Sequence, residues 1–281
     1  MKLLDGKKIS QEIKNKIKVQ IDQLIATNKR LPKLAVIIIG EDYASHLYVK
    51  NKVKACEAVG IKGEIVHFPD SVAETEVLVK INELNKNPEV DGILVQLPLV
   101  AQLDEFKILN TITVNKDVDG LTSISAGKLL KGDKSAIIPC TVQGIIALMQ
   151  AYNLEIAGQD VTIINNGNIV GKPLAMLLNN MGATVSLAHK RTKDLKSYLK
   201  NADIIVTATG VYQLFDSQDI KSGVIIIDVA INTTKDQKVV GDVELAAVQD
   251  KVKAVTPVPG GVGPMTIAML LENLMLLYQQ R

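Results

Sequence analysis

Four polar side chains in the first half of the sequence could do chemistry together. Tyr48 and Lys52 stand four residues apart, so on a helix they would share one face. Gln96 ends an apolar run, and Asp119 belongs to an Asp-Val-Asp-Gly sequence that begins at Asp117. A neutral amine can accept a proton from water, an amide can hold that amine, and a carboxylate can accept two hydrogen bonds from one planar group. Each feature also has a plain structural interpretation: a solvated helix face, a strand-end cap and a tight turn.

A second group of residues has the spacing of a nucleotide-binding turn. Gly167 and Gly171 lie between a strand-like run and a helix-like run that has Pro173 in its first turn. Backbone N–H groups at such a turn can hold a pyrophosphate. The sequence is not Gly-x-Gly-x-x-Gly, so a plain strand–helix turn is the alternative. Lys190 and Arg191 stand 19 and 20 residues after Gly171, where a carboxylate would favour NAD.

The third candidate is the segment from Thr256 to Thr266, in which six of eleven residues are glycine or proline. Such a run disfavours a helix or an inner strand, because proline lacks an N–H donor and glycine resists ordering. A stiff loop with few side chains can bring main-chain N–H groups close to a ligand. We expect it to join a short strand to an apolar closing helix that runs from about Thr266 to Gln280. An ordinary connecting loop is the alternative.

The elements that must position these residues alternate along the chain. Apolar residues recur at helical spacing over 9–28, and a buried strand-like run follows at 34–40. The alternation continues through both halves, which predicts parallel sheets with helices beside them. Ligands bind beyond the carboxyl ends of such strands. The other predicted helices are 43–59, 74–85, 142–152, 173–180 and 193–200, and the other predicted strands are 65–68, 90–98, 161–165, 184–188, 204–207, 224–228 and 252–255.

Composition and charge exclude several other kinds of protein. The 281 residues suit one large or two ordinary domains, and 47% of them are hydrophobic. The net charge is +2 and the basic residues are scattered, so we expect no nucleic acid or membrane partner. Two lone cysteines and no signal-like apolar core in residues 1–8 predict a reduced, cytoplasmic protein. The three histidines show no metal-ligand spacing with the cysteines, so we expect no metal.

Several segments resemble the bifunctional methylenetetrahydrofolate dehydrogenase/methenyltetrahydrofolate cyclohydrolase family. The signature Pro-Gly-Gly-Val-Gly-Pro-Met-Thr stands at 259–266 after Thr-Pro-Val, and Tyr-x-x-x-Lys stands at 48–52. The short-chain dehydrogenases also have Tyr-x-x-x-Lys, but after their cofactor turn, whereas here it comes more than 100 residues before that turn. The remaining matches are Val-Gln-Leu at 95–97, Asp-Val-Asp-Gly at 117–120, Pro-Cys-Thr at 139–141, Ile-Val-Gly-Lys-Pro at 169–173, Asp-Val-Ala-Ile-Asn at 228–232 and Val-Gly-Asp-Val at 240–243.

The resemblance covers essentially the whole chain and implies a two-domain α/β enzyme. A folate-binding catalytic domain would span residues 1–138 and be completed by the C-terminal helix, 267–281, which returns to it. A Rossmann-type NADP-binding domain would span residues 139–266. The implied reactions are NADP-dependent oxidation of 5,10-methylenetetrahydrofolate to 5,10-methenyltetrahydrofolate and hydrolysis of that product to 10-formyltetrahydrofolate. Family members commonly are cytoplasmic homodimers, and their one-carbon product serves purine biosynthesis.

The resemblance also implies roles for individual residues in the folate site. Lys52 would be the hydrolytic base and Gln96 would hold the amine in position. Tyr48 would stack on the folate or fix Lys52, and Asp119 would anchor the pterin. The other implied substrate contacts are Val95, Leu97, Pro259, Gly260, Gly261 and Gly263.

The cofactor turn departs from the family pattern. The family usually has Gly-Arg-Ser where this chain has Asn165, Asn166 and Gly167, so the arginine that contacts the 2′-phosphate of NADP is missing. Lys190 or Arg191 could supply that contact instead, which favours NADP over NAD. The alternatives are an enzyme that is mainly a cyclohydrolase with weak or NAD-linked dehydrogenase activity, and a dinucleotide-binding module without turnover. The cofactor contacts implied are Asn165, Asn166, Gly167, Gly171, Lys190, Arg191 and Ile231.

Overall fold

A computed structural model describes residues 1–234 and 236–280 of the chain. These residues form two compact units. The N unit contains Glu12–Lys128, Ser135–Ile138 and the chain from Ile267 onward, and the C unit contains Met1–Gln11, Leu129–Lys134 and Pro139–Thr266. The sequence analysis places all of residues 1–138 in one domain, whereas this division assigns two pieces of that range to the C unit.

Helices and strands are numbered in chain order through both units. Up to residue 151 they are β1 (Lys2–Leu3), α1 (Gly6–Ala26), β2 (Lys33–Ile39), α2 (Tyr43–Val59), β3 (Lys62–Phe68), α3 (Glu74–Lys86), β4 (Gly92–Val95), α4 (Glu105–Thr111), α5 (Ser123–Leu130) and α6 (Cys140–Ala151). Beyond it they are β5 (Asp160–Ile164), α7 (Gly171–Asn180), β6 (Thr184–Ala188), α8 (Leu195–Asn201), β7 (Ile204–Thr207), β8 (Ile225–Asp228), β9 (Asn232–Thr233), β10 (Val239–Val240), α9 (Leu245–Val248), β11 (Ala254–Val255) and α10 (Val262–Gln279).

A three-stranded parallel sheet in the order β3-β2-β4 is the centre of the N unit. Its middle strand, β2, is buried from Leu34 to Ile39, as a strand covered on both faces should be. The helix that follows, α2, begins where the Asp42 carboxylate accepts a hydrogen bond from the Ser45 N–H at 2.7 Å. It ends at Gly60, whose φ of 88° lies in the left-handed region that glycine adopts freely.

The apolar C-terminal helix completes the N unit, as the sequence predicts. Asn273, in the buried part of α10, donates hydrogen bonds from Nδ2 to the carbonyls of Val118 and Ile138, each at 3.0 Å. Leu274 lies so close to Gly92 that a Cβ added there would be 2.7 Å from its Cδ1. The absence of a side chain in β4 therefore makes room for α10. None of the described helices has both the length and the apolar character required to cross a membrane.

The C unit is a parallel Rossmann-like sheet in the order β1-β11-β8-β7-β5-β6. Its central strands are apolar and buried because helices from the sequence between them cover the sheet. The two-residue strand β1 pairs in parallel with β11, which explains why the first residues of the chain belong to this unit. A strand of two residues is too short to show a repeat of apolar residues, so the sequence pattern could not predict this pairing.

One predicted boundary is wrong at the closing helix. We expected it to begin near Thr266, but α10 begins at Val262 and includes Gly263 and Pro264 in its first turn. Proline is tolerated there because the first four N–H groups of a helix have no partner within the helix. The short elements α4, α5, α9, β9 and β10 were not predicted.

Candidate active site

Lys52 and Gln96 meet at the carboxyl edge of the N-unit sheet. Lys52 lies on α2 and Gln96 directly follows β4. The Lys52 Nζ donates a hydrogen bond to Gln96 Oε1 at 3.0 Å. Gln96 Nε2 in turn donates to the Leu97 carbonyl at 2.7 Å, which fixes which end of the amide faces the lysine. The structure therefore brings together the predicted amine and the amide predicted to hold it.

Tyr48 lies one helical turn before Lys52, so both side chains are on the same side of α2. Burial raises the pKa of the Tyr48 phenol above its usual value, so the group is protonated at neutral pH. Within the described part of the chain no hydrogen bond to its hydroxyl is formed, and 42% of the residue is exposed. Tyr48 thus offers an aromatic face and an O–H donor to a ligand.

The two aspartates of the Asp-Val-Asp-Gly sequence have different environments. Asp117 is 2% exposed, and its carboxylate accepts hydrogen bonds from the N–H groups of Leu121 and Thr122 and from the Ser125 hydroxyl. Asp117 therefore holds the turn. Asp119 is half-buried, and its carboxylate has no hydrogen-bond or ion-pair partner among residues 1–234 and 236–280.

The turn that carries Asp119 lies beside β4 of the same sheet. The backbone of Asp117 forms a parallel bridge to Ile93 of β4. The chain turns at Val118 and Asp119 directly after this bridge, so the turn that carries Asp119 adjoins β4, the strand that Gln96 follows. Val95 itself is 3% exposed and belongs to the hydrophobic core, whereas Leu97 is half-buried. Of the predicted strand-end contacts, Gln96 and Leu97 are accessible to a ligand, whereas Val95 packs in the core.

In the C unit, Asn165 shapes the loop between β5 and α7. Its Oδ1 accepts hydrogen bonds from the N–H groups of Gly167 at 2.8 Å and Gly171 at 3.1 Å, and its Nδ2 donates to the Ala208 carbonyl at 2.6 Å. A Cβ on Gly171 would lie 1.9 Å from the Asn165 carbonyl oxygen, so only glycine fits at the start of α7. The asparagine that replaces the first family glycine therefore organises the turn from within.

A cavity of about 740 Å³ adjoins this loop. Asn165 and Asn166 line it from the loop, and Lys190 and Arg191 line it from the end of β6. The structure thus brings together the residues that replace the family arginine and the two predicted cations. None of the described lining residues is acidic: the others are Ile164, His189, Leu195, Ala208, Thr209, Val211 and Leu214.

Two buried aspartates fix the loops at the ends of the C-unit strands by accepting hydrogen bonds. The sequence analysis did not single them out. Asp242 is fully buried and accepts hydrogen bonds from the Thr207 hydroxyl, from Thr209 and from the Val211 N–H. Asp228 accepts from the Ala230 and Val243 N–H groups. The signal was present, because both aspartates lie in family-like sequences, but their role depends on contacts between distant segments.

Ile231 and the Gly-rich segment are the remaining predicted contacts. Ile231 is 52% exposed, just before β9, and is not among the residues that line the 740 Å³ cavity. Gly260 has a φ of 112°, and its carbonyl accepts a hydrogen bond from the Lys7 N–H at 2.9 Å.

Close packing explains one of the other glycines in this segment but not the last. A Cβ on Gly261 would lie 2.6 Å from the Pro257 carbonyl oxygen, so a side chain has no room there. Gly263, in contrast, has open space around it. Pro259 and Gly263 are exposed, so both remain accessible to a ligand.

Comparison with known protein families matches both parts of the chain. Residues 4–119 match the catalytic domain of tetrahydrofolate dehydrogenase/cyclohydrolase. Residues 139–281 match the NAD(P)-binding domain of tetrahydrofolate dehydrogenase/cyclohydrolase. The two matches leave residues 120–138 between them.

Individual relatives agree over the full length. A bifunctional protein FolD from Sulfurihydrogenibium sp. (strain YO3AOP1) is 48% identical, covering 100% of this chain and 99% of the relative. The crystal structure of the bifunctional methylenetetrahydrofolate dehydrogenase/cyclohydrolase FolD from Campylobacter jejuni is 46% identical with a TM-score of 0.98, covering 100% of this chain and 99% of that one. The Trypanosoma brucei enzyme, solved with NADP and an inhibitor, is 32% identical with a TM-score of 0.94, covering 99% and 97%. The chain belongs to the tetrahydrofolate dehydrogenase/cyclohydrolase family.

Proposed function

We propose that this chain is a bifunctional enzyme of one-carbon metabolism. It oxidises 5,10-methylenetetrahydrofolate to 5,10-methenyltetrahydrofolate with NADP and then adds water to give 10-formyltetrahydrofolate and a proton. The observation that carries the proposal is the Lys52–Gln96 hydrogen bond of 3.0 Å, in a chain that matches both family domains. A module that only bound a dinucleotide would have no use for an amine and a carboxylate at this edge.

We assign the hydrolytic step to Lys52. The methenyl substrate is a cation, and a cation beside an ammonium favours loss of the ammonium proton. The neutral amine then accepts a proton from the water that attacks the methenyl carbon. Gln96 Oε1 holds one N–H of the amine, so the nitrogen lone pair is directed away from the amide. Gln96 is in this account a positioning residue.

We assign substrate binding to Asp119 and Tyr48. A carboxylate without a protein partner can accept two parallel hydrogen bonds from the aminopyrimidinone edge of a pterin. The protonated Tyr48 presents its ring and hydroxyl on the same side of α2 as Lys52. For Leu97, Pro259, Gly260, Gly261 and Gly263 the proposed role is contact with the substrate through backbone atoms and apolar surface.

The C unit fits NADP by three features. The turn has no room for a side chain at Gly171, and the N–H groups of Gly167 and Gly171 already donate to Asn165, so the proposed pyrophosphate contacts are other N–H groups of this loop. The adjoining cavity contains Lys190 and Arg191, and no acidic residue lines it in the described part of the chain. When bound, NADP accepts a hydride from the methylene carbon. The protein binds and orients this acceptor through the turn and the two cations.

Three further properties belong to the proposal. Cytoplasmic location is supported by two buried cysteine thiols, Cys56 and Cys140, and burial raises the pKa of Cys56 to about 12, which keeps it protonated. Assembly as a homodimer and a role in supplying formyl groups for purine biosynthesis are supported by the family membership.

One assay tests the proposal as a whole. Purified protein is mixed with methylenetetrahydrofolate and NADP, and the absorbance of the methenyl product is followed as it appears and decays. We expect NADP-dependent formation followed by enzyme-dependent decay. Decay of added methenyltetrahydrofolate without NADP-dependent formation would indicate a cyclohydrolase alone. No change with either substrate would indicate a binding module.

A further inference from the structure

Three side chains that the folate chemistry does not use converge at the carboxyl edge of β2 and β3. Glu41 follows β2, His46 lies in the first turns of α2, and His67 lies near the end of β3. The Nε2 atom of His67 is 3.2 Å from Glu41 Oε1, and the Nε2 atom of His46 is 3.6 Å from Glu41 Oε2. One ligand atom from each residue lies within 4.8 Å of the other two. The two imidazole rings meet edge to face with centroids 5.2 Å apart.

The atoms that face one another in this cluster are mostly electron-pair donors. The Gly40 carbonyl oxygen lies 2.9 Å from His46 Nε2 and 3.2 Å from His67 Nε2. Each Nε2 therefore faces both a carbonyl and a carboxylate oxygen. Without a metal, each nitrogen must carry a hydrogen atom, because only an N–H group can donate a hydrogen bond to these oxygens. A single divalent cation at the centre can replace both protons, because neutral imidazole nitrogen and carboxylate oxygen are metal ligands.

We propose that Glu41, His46 and His67 bind one divalent transition-metal ion of the class of Zn²⁺, Co²⁺ or Ni²⁺. Bonds of about 2.0–2.1 Å to a tetrahedral Zn²⁺ place neighbouring ligand atoms about 3.3–3.5 Å apart. Each imidazole nitrogen lies near that distance from one oxygen of the Glu41 carboxylate, His67 Nε2 at 3.2 Å from Oε1 and His46 Nε2 at 3.6 Å from Oε2. Two nitrogen donors and one oxygen donor select these ions over Mg²⁺ and Ca²⁺, which prefer oxygen ligands.

The site is open to the solvent from which the ion would come. The side chains of His46 and His67 are 37% and 41% exposed, and that of Glu41 is 69% exposed. An apolar groove of about 480 Å³, lined by Tyr43 and Leu47 among others, adjoins the two histidines. Solvent can fill the remaining coordination position of the ion.

A metal here would connect β3 with the start of α2, the helix that carries Lys52. His67 belongs to β3, whereas Glu41 directly precedes α2 and His46 lies in its first turns. An ion that binds the folded chain alone stabilises it in proportion to the logarithm of its concentration over Kd. We therefore expect Zn²⁺ to raise the thermal stability of the protein in addition to binding it.

The test is isothermal titration of the untagged, chelator-treated full chain with ZnCl₂, with MgCl₂ as the comparison. We expect one Zn²⁺ per chain and no saturable binding of Mg²⁺. Each of His46→Gln, His67→Gln and Glu41→Gln should raise the Kd for Zn²⁺ by more than about 100-fold, beyond the 10- to 100-fold effect of losing a residue that only supports a ligand. The rise of the unfolding temperature with Zn²⁺ should disappear in the same variants.

The third histidine of the chain supplies the matched control. His189 lies in the C unit, where its Nδ1 accepts a hydrogen bond from the Arg191 N–H at 3.1 Å. His189→Gln should leave the Zn²⁺ affinity unchanged. The proposal is overturned if wild type binds no Zn²⁺ in a saturable manner, if the His46→Gln/His67→Gln double variant binds as wild type does, or if His189→Gln loses the binding. Circular dichroism of each variant establishes that it is folded.

Discussion

At the scale of single residues, the two aspartates of the Asp-Val-Asp-Gly sequence show how position decides role. Asp117 is enclosed by hydrogen-bond donors of its own turn, whereas Asp119, two residues later, has no partner among the described residues. A buried carboxylate that satisfies backbone N–H groups stabilises the fold. A carboxylate that has no protein partner at a ligand-binding edge is available to the ligand.

Asp119→Ala should lower both activities together, because both reactions use one folate site. Loss of a charge-assisted hydrogen bond corresponds to about 1.5–3 kcal/mol, or roughly a 10- to 150-fold loss in kcat/KM. The measurement is kcat/KM for methylene oxidation and for methenyl hydrolysis. The companion variant Asp117→Ala should instead lower the free energy of unfolding by about 1–3 kcal/mol, since it leaves buried donors unsatisfied. A fall in only one activity of Asp119→Ala would contradict the assignment.

Lys190→Ala combined with Arg191→Ala should remove most of the preference for NADP over NAD. Both cations line the cavity beside the cofactor turn, and a single charge-assisted contact with the 2′-phosphate corresponds to roughly a 10- to 150-fold preference. The measurement is the ratio of kcat/KM for the two cofactors. Lys193→Ala, an exposed lysine outside the cavity lining, should leave the ratio unchanged. If wild type used both cofactors equally, Lys190 and Arg191 would not be selecting NADP through its 2′-phosphate.

At the scale of elements, the turn between β5 and α7 depends on one glycine. A Cβ on Gly171 would overlap the Asn165 carbonyl oxygen at 1.9 Å, so Gly171→Ala must displace the backbone of the turn to which we assign pyrophosphate binding. We expect a loss of about 1–3 kcal/mol in the free energy of unfolding and a weaker NADP affinity. Gly127→Ala in α5, where a Cβ would meet nothing within 4 Å, should be neutral or slightly stabilising. Denaturant unfolding and NADP titration of both variants check this.

The free energy of unfolding should depend on pH through Asp228, the last residue of β8. Burial raises the pKa of Asp228 from 3.8 to about 6, so the folded protein disfavours its ionised form. The contribution of this group to stability is fully present below the unfolded pKa and is lost as the pH rises through about 6. The free energy of unfolding of wild type minus that of Asp228→Asn should fall by about 3 kcal/mol between about pH 4 and 7. A difference that stays constant over this range would show that Asp228 is not destabilised when ionised.

Elements with strong periodicity and clear end signals were predictable from sequence. α2 has the predicted bounds, because an apolar face ends at a glycine that adopts a left-handed conformation, Gly60. The start of α10 was not predictable from composition, because Gly263 and Pro264 break helices except in the first turn. The strand β1 exists only through its pairing with β11. Local patterns cannot contain such contacts.

The same limit applies to sites. Lys52 and Gln96 could be paired in advance because motif order and family resemblance both pointed to them. His46 and His67 stand 21 residues apart in the sequence, on a helix and a strand, and only the parallel pairing of β2 with β3 brings them to Glu41. Their types alone gave no metal-ligand spacing.

At the scale of the whole molecule, one chain contains two compact units with separate chemical tasks. We propose that the amine, amide and carboxylate of the N unit act on folate and that the turn and cations of the C unit bind NADP. Family matches over 4–119 and 139–281 agree with this assignment of tasks. We therefore expect that a change in the N unit can remove hydrolysis of the methenyl product while hydride transfer to NADP continues.

Lys52→Met tests that expectation most directly. The protein is mixed with methylenetetrahydrofolate and NADP, and the methenyl absorbance is followed beside wild type and Lys54→Met, an exposed lysine on the same helix. We predict that Lys52→Met forms the methenyl product but hydrolyses it at least about 100-fold more slowly, the scale of general-base catalysis, so that the intermediate accumulates. Lys54→Met should behave as wild type. Near-normal methenyl decay in folded Lys52→Met would contradict the assignment of Lys52 as the base.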